Sequence, residues 1–282
     1  MTFLKLRNPS ATIRPGIHAT AIVGSDVTLE DGVTVGPYCV IEGRVTIGTG
    51  TAILAHSFIS GTTIIGANCK IGPHAAVGTD PQHRSNDGRG SCLVIEDNVI
   101  VREFATVHRA TKPGLEHATR VGRGSLLMVG CHVAHDCRVG ENVTLANSVH
   151  LGGHVVIGDG AVLGGGTVVH QFVRVGRLSI TAGGEALAKD VMPFAAVFHN
   201  RHKGYNAIGC RRAGLDAKTL HALRAAFREI HSHRSASKGA GQERVVNLSQ
   251  TVPEVKELVE FIQGSRRGIV ASAASEEESI TV

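Results

Sequence analysis

The chain has 282 residues, room for one large domain or two modest ones, and 42% of it is apolar. Aromatics are only 4%, Trp is absent and Gly numbers 35, so the core has to be built from aliphatic side chains in short, tightly turning segments. A net charge of +5 favours anionic partners, but there is neither the dense Lys/Arg run nor the aromatic series of a polynucleotide binder, and no apolar run of signal or membrane-spanning length. The expectation is a soluble cytoplasmic protein with no nucleic-acid partner and no membrane span.

From Ile17 onward every sixth residue is aliphatic: Ile17, Val23, Leu29, Val35, Ile41, Ile47, Ile53, Ile59, Ile65, Ile71 and Val77. The series resumes at Ile95, Val101 and Val107. It resumes again at Val121 and runs through Leu127, Val133, Val139, Leu145, Leu151, Ile157, Leu163, Val169 and Val175; Thr181 breaks it and Leu187 closes it. In all, 25 of 26 positions are Val, Ile or Leu, too many for chance. A period of six fits neither an amphipathic helix nor a hairpin series. It fits a three-faced solenoid of short strands, each turning one aliphatic residue inward. Residues 18 apart then stack at roughly 4.8 Å. The fifth position of each hexad is small or β-branched, and Cys39, Cys69, Cys131 and Cys137 fall on it. Those thiols read as reduced interior fillers, consistent with a cytosolic compartment.

Two polar, Gly/Pro-containing excursions, 79–94 and 111–120, interrupt the count and are expected to be loops carrying function. The count stops near Met192-Pro193. Beyond Gly214, the residues Leu220, Leu223, Phe227 and Ile230 share a helical face; Pro253 opens a second helix with Val255, Leu258, Val259 and Ile262. Ser232–Gln242 reads as a linker and 271–282 as a disordered tail. The expected division is a β-solenoid over 11–194 and a helical domain over 195–270.

Sixteen histidines are many for this length, and the 18-residue register gathers several of them. His135, Gly153 and Gln171 form one outward column; Asp136, His154 and Phe172 form the next. His132 stacks over His150, and His170 follows one coil beyond Gly152. An imidazole beside a carboxylate can take a proton while the carboxylate fixes its tautomer. Neighbours on a strand point apart, so Asp136 reaches His135 only if the chain bends there. Gly153, one coil on, could turn a bare N–H toward a developing oxyanion. Base, orienter and oxyanion donor together suit direct acyl transfer to a hydroxyl. A zinc site from His132, His150 and His154 is the alternative.

Cys131–Gly140 (CHVAHDCRVG), Leu145–Val155 (LANSVHLGGHV) and Val169–Val173 (VHQFV) resemble the signature blocks of the UDP-N-acetylglucosamine 3-O-acyltransferase family, which opens lipid A synthesis. Val101–Arg109 (VREFATVHR) and Asn206–Gly214 (NAIGCRRAG) also resemble its motifs, and the likeness runs over roughly residues 10–270. The resemblance implies an all-β left-handed parallel β-helix followed by helices. It implies His135 as the general base, Asp136 as its partner and Gly153 as the oxyanion donor. By the same likeness His132, His154, His170 and Gln171 contact the sugar nucleotide, and Asn206 and Arg212 hold its uridine and phosphates. The donor would be a 3-hydroxyacyl chain on acyl carrier protein, docked by basic residues such as Arg201, Lys203, Arg211 and Arg212. Gly183 would leave room for the acyl tail. The family works as a homotrimer with sites between subunits and needs no metal or cofactor. Departures stand at His83 and Ser85, where the family has Asp and Lys, and at Ile208, Cys210 and Ala213. The competing readings are another hexapeptide acyl- or acetyltransferase acting on a related nucleotide sugar, and a noncatalytic trimeric scaffold.

Overall fold

The computed structural model describes residues 16–86, 88–232 and 238–272. Strands of mostly two residues wind into three sheets of nine, eight and ten members; up to Leu187 all are parallel and each strand pairs with the strand three places on. The fold is the expected left-handed β-helix. The register is the one the six-residue period requires: Ile22 pairs with Val40, His132 with His150 and Leu145 with Leu163. From Val35 to Leu187 the counted aliphatic residues are at most 4% exposed and form one continuous core. Ile17, at the start of the described residues, is 54% exposed.

The small fifth position has a second job. The Thr51 hydroxyl donates to Gly66 O at 2.8 Å and that of Ser125 to Gly140 O at 2.9 Å. The thiols of Cys39, Cys69, Cys131 and Cys137 donate likewise to carbonyls of Leu54, Glu96, Ala146 and Gly152 at 3.0–3.2 Å. These buried side chains satisfy carbonyls exposed by the turns, which an alanine could not do. All six cysteines are free and buried. Burial pushes the Cys137 thiol up to about 12, so it stays protonated and inert.

Thr181, the exception in the aliphatic count, is 4% exposed, and its Oγ1 accepts from Gly164 N at 3.0 Å. Thr181→Val would restore the pattern yet strand that amide. We expect a loss of about 1–2 kcal/mol in the urea-unfolding free energy. A variant as stable as the parent would contradict the assignment.

The excursions are shorter than expected. Cys92–Ile95 is a strand against Thr62–Ile65, and Thr119–Val121 is a strand as well. Past the solenoid, Ala195–Phe198 joins the third sheet and turns into antiparallel Arg201–Tyr205. Helices α1 (Ala207–Arg212), α2 (Ala217–Ser232), α3 (Lys238–Ser249) and α4 (Pro253–Gln263) follow. Leu223, Phe227, Val255 and Leu258 are buried as the helical spacing requires. The linker reading of 232–242 is corrected at both ends, since Ser232 closes α2 and Lys238 opens α3; 233–237 lie outside the described residues. The tail reading lies outside them from 273 on. Ser272, however, bridges to His202, so ordered chain reaches at least that far. Buried Asp190 holds this segment to the solenoid, accepting from Arg174 N and Nε at 2.8 and 3.0 Å and from the Ser265 hydroxyl at 2.8 Å. No helix among the described residues is long and apolar enough to cross a membrane.

Candidate active site

Turn residues after the first-sheet strands make one edge of the prism. The second of each pair has a left-handed φ: 61° at Asp136, 63° at His154 and 66° at Phe172. That bend swings Asp136 toward its own neighbour, as the sequence required. Its Oδ2 accepts from His135 Nδ1 at 2.7 Å, which leaves Nε2 as the ring's proton acceptor. Both side chains are 11% exposed, and His154 Nε2 lies 3.5 Å from the same oxygen.

The carboxylate is held from the second excursion too. Thr111 donates its N–H to Oδ1 at 3.0 Å and its hydroxyl to Oδ2 at 2.9 Å, while Asp136 N donates to Thr119 Oγ1 at 2.9 Å. Burial alone would raise the Asp136 carboxyl. The hydrogen bonds from His135 and Thr111 and the nearby His154 outweigh it and hold the group below the ordinary Asp value. Gly153 lies against the base: a Cβ there would sit 2.5 Å from Cε1 and 2.8 Å from Nε2 of His135.

A second row of imidazoles flanks this pair. The rings of His108, His132 and His150 are spaced at 5.2 and 6.1 Å. His108 is buried; its Nδ1 is 2.7 Å from the Asp80 carbonyl, and its Nε2 has no hydrogen-bond partner. An unpaired buried acceptor is costly, so a ligand N–H or O–H would be welcome there. Burial first, then His108, His150 and His135, push the His132 imidazole down to about 4. The unfolded chain therefore binds a proton below about pH 6.5 that the folded chain refuses until about pH 4. Stability should fall across that window as pH drops and level off beneath it. His132→Gln should flatten the fall in denaturant titrations at a series of pH values; parallel slopes in parent and variant would contradict the depressed imidazole.

The predicted residues separate into two places. His132, His135, Asp136, Gly153 and His154 converge; His170 and Gln171 stand exposed one coil further along the same edge. Asn206 and Arg212 do not join them. Asn206 caps α1, accepting from Gly209 N at 2.9 Å and donating to Leu178 O at 2.8 Å, at a different edge of the prism. Arg212 is exposed on α1, and Gly183 is exposed on the third edge. Among the described residues, the group able to converge on a metal is His135, Asp136 and His154, not the three histidines of the zinc alternative. Asp136 is already engaged there by four hydrogen-bonding or charged neighbours. Thr111, Thr119, His83 and His108 were missed. The 18-residue register brings Thr119 within one residue of Asp136; Thr111 and His83 sit on excursions that the register does not reach.

The hexapeptide-repeat transferase model matches residues 26–61 and 118–153, and the model for UDP-N-acetylglucosamine O-acyltransferase, domain 2, matches 190–270. An acyl-[acyl-carrier-protein]–UDP-N-acetylglucosamine O-acyltransferase of Bartonella henselae is 40% identical over 87% of this chain and 89% of its own. This chain belongs to the UDP-N-acetylglucosamine O-acyltransferase family. The family member of the same name from Thermodesulfovibrio yellowstonii is 36% identical over 90% of this chain and 98% of its own. The crystal structure of the Moraxella catarrhalis UDP-N-acetylglucosamine O-acyltransferase superimposes with a TM-score of 0.83 at 34% identity, over 90% of this chain and 99% of that one.

Proposed function

We propose that the chain transfers a 3-hydroxyacyl group from acyl carrier protein to the 3-hydroxyl of UDP-N-acetylglucosamine, with His135 as general base. The observation that carries this reading is the His135–Asp136 pair, 2.7 Å apart and set directly against Gly153. His135 Nε2 takes the proton of the sugar hydroxyl as its oxygen attacks the thioester carbonyl. The Gly153 N–H meets the tetrahedral oxyanion. Collapse breaks the carbon–sulfur bond, and the leaving thiolate takes the proton back from Nε2. Asp136 stays ionised throughout and steadies the imidazolium. His132, neutral at pH 7, contacts the sugar nucleotide with His154, His170 and Gln171.

Arg212 holds the phosphates from a second copy of the chain, beside the α1 cap at Asn206, since that segment lies at a different edge from His135. That placement needs a second copy; a homotrimer is what the family resemblance implies. Arg201, Lys203, Arg211 and Arg212 are all exposed and suit an acidic carrier protein. Six free buried thiols fit a reducing cytoplasm. His135 and Gly183 are 48 residues apart, about 2.7 coils or roughly 13 Å of axial height. At about 1.3 Å per carbon, some ten carbons reach Gly183 and a chain of roughly 12–14 carbons is preferred.

Gly183→Met should shift that preference to shorter donors. A Cβ there meets the Gly165 carbonyl at 3.0 Å, a tight backbone contact, so a thermal melt of the variant accompanies the assay. An unchanged preference would remove Gly183 from the acyl path. The function itself is tested by offering UDP-N-acetylglucosamine with 3-hydroxyacyl carrier proteins of several lengths, and with acetyl-CoA. A nucleotide sugar heavier by one 3-hydroxyacyl group is expected from the carrier-bound donors. Product from acetyl-CoA alone would point to the acetyltransferase reading, and no product from any donor to the scaffold.

A further inference from the structure

Most of what surrounds the His135 ring belongs to the solenoid edge itself. Asp136 holds Nδ1 from the same turn, Gly153 lies against the ring, and the His154 ring stands edge-on with centroids 5.3 Å apart. One neighbour comes from elsewhere. His83, on the loop after Thr79, meets His135 at 5.8 Å with the ring planes at 84°.

That placement is built rather than incidental. His83 N donates to Pro81 O at 2.8 Å, and Asn86 N donates to His83 O at 3.2 Å, so the backbone carrying the ring is turned and fixed. The Asn86 side chain donates to Thr111 O at 2.8 Å. Thr111 is the residue whose N–H and hydroxyl hold Asp136. One threonine thus ties the orienting carboxylate to the loop that presents His83. A single hydrogen bond at Nδ1 leaves an imidazole free to swing about that contact, and an edge-to-face ring on another side removes the freedom.

We propose that His83 is a positioning residue for His135, bracing the base so that Nε2 stays aimed at the acceptor hydroxyl. The proposal rests on the reading of His135 as base. The charged and titratable groups facing His135 are Asp136 from its own turn, His154 from the next coil, His108 and His132 from the first sheet, and His83 and Lys112 from the two loops, Lys112 through its effect on His154. Asp136 is the one carboxylate in that set. A proton on His83 therefore opposes the imidazolium that the reaction forms, whereas a carboxylate at that position would favour it.

The test compares His83→Ala, His83→Phe, His83→Asp and His135→Ala in steady-state acyl transfer across a pH range, with melting temperatures recorded for each. His83→Ala should lower kcat about tenfold with KM for the sugar nucleotide within about twofold, since a small misalignment of a reacting group is costly in rate. His83→Phe, which keeps an edge-to-face ring, should recover most of that loss. His83→Asp should move the acid limb of kcat/KM up by about one pH unit, because a nearby anion favours the charged imidazolium. Wild-type kcat in His83→Ala, a loss that His83→Phe does not recover, or an unmoved limb in His83→Asp would each overturn the proposal. The two readings fail differently. Turnover retained in His135→Ala removes the base itself; a dead His135→Ala beside a normal His83→Ala removes only the brace.

Discussion

His135→Ala is expected to cut turnover by about 10²–10⁴-fold while shifting the melting temperature by little. The imidazole sits at a turn outside the aliphatic core, among Gly153 and polar neighbours, so its removal leaves that core intact. Asp136 would keep both hydrogen bonds from Thr111, so no bare carboxylate is left behind. Loss of proton transfer is then the main consequence. Single-turnover rates with saturating donor and acceptor, beside a thermal melt, give the comparison. A variant retaining more than a tenth of wild-type turnover would take His135 out of the base role. A variant that melts far lower would mean that the ring is structural.

Gly153→Ala should be nearly as damaging, for a purely geometric reason. The φ of Gly153 lies outside the left-handed region, so an alanine suits the backbone. Its methyl would nevertheless fall within 2.5 Å of Cε1 of His135, and the side chain that yields is the imidazole. Displacing the ring lengthens its 2.7 Å bond to Asp136 and turns Nε2 away from the acceptor. A shift of about 1 Å in a reacting group can cost on the order of 10²-fold in rate. The expected result is a folded protein with kcat reduced by roughly that factor and nucleotide-sugar affinity little changed. A Gly153→Ala enzyme with normal kcat would show that the glycine is not where the base needs it.

Much of the fold and half of the site were legible because a solenoid reduces placement to arithmetic. Once the six-residue period is recognised, His132 over His150 and His135 over Gly153 follow from differences of 18. The limits are equally physical. The His135–Asp136 contact depends on one left-handed φ, which a period cannot express, although the need for a bend could be stated. Insertions break the count, so Thr111 and His83 enter the site from segments with no register to follow. Asn206 illustrates another limit. Its residue type suits a ligand amide, but folding has engaged both its side-chain oxygen and nitrogen in capping α1 and holding Leu178 O. A linker reading of 238–242 missed the start of α3 because a glycine-containing stretch carries little helical signal of its own. The hairpin after Phe194 carried no such count and was missed.

The most direct test of the central claim is the position of the bond formed. UDP-N-acetylglucosamine and a 3-hydroxyacyl carrier protein are incubated with the wild-type protein, and the product is analysed by proton NMR. The account predicts a single ester at the sugar 3-oxygen, seen as a downfield shift of the proton on that carbon alone. An acyl group at any other position, or an unmodified sugar in the presence of intact donor and folded protein, would contradict it.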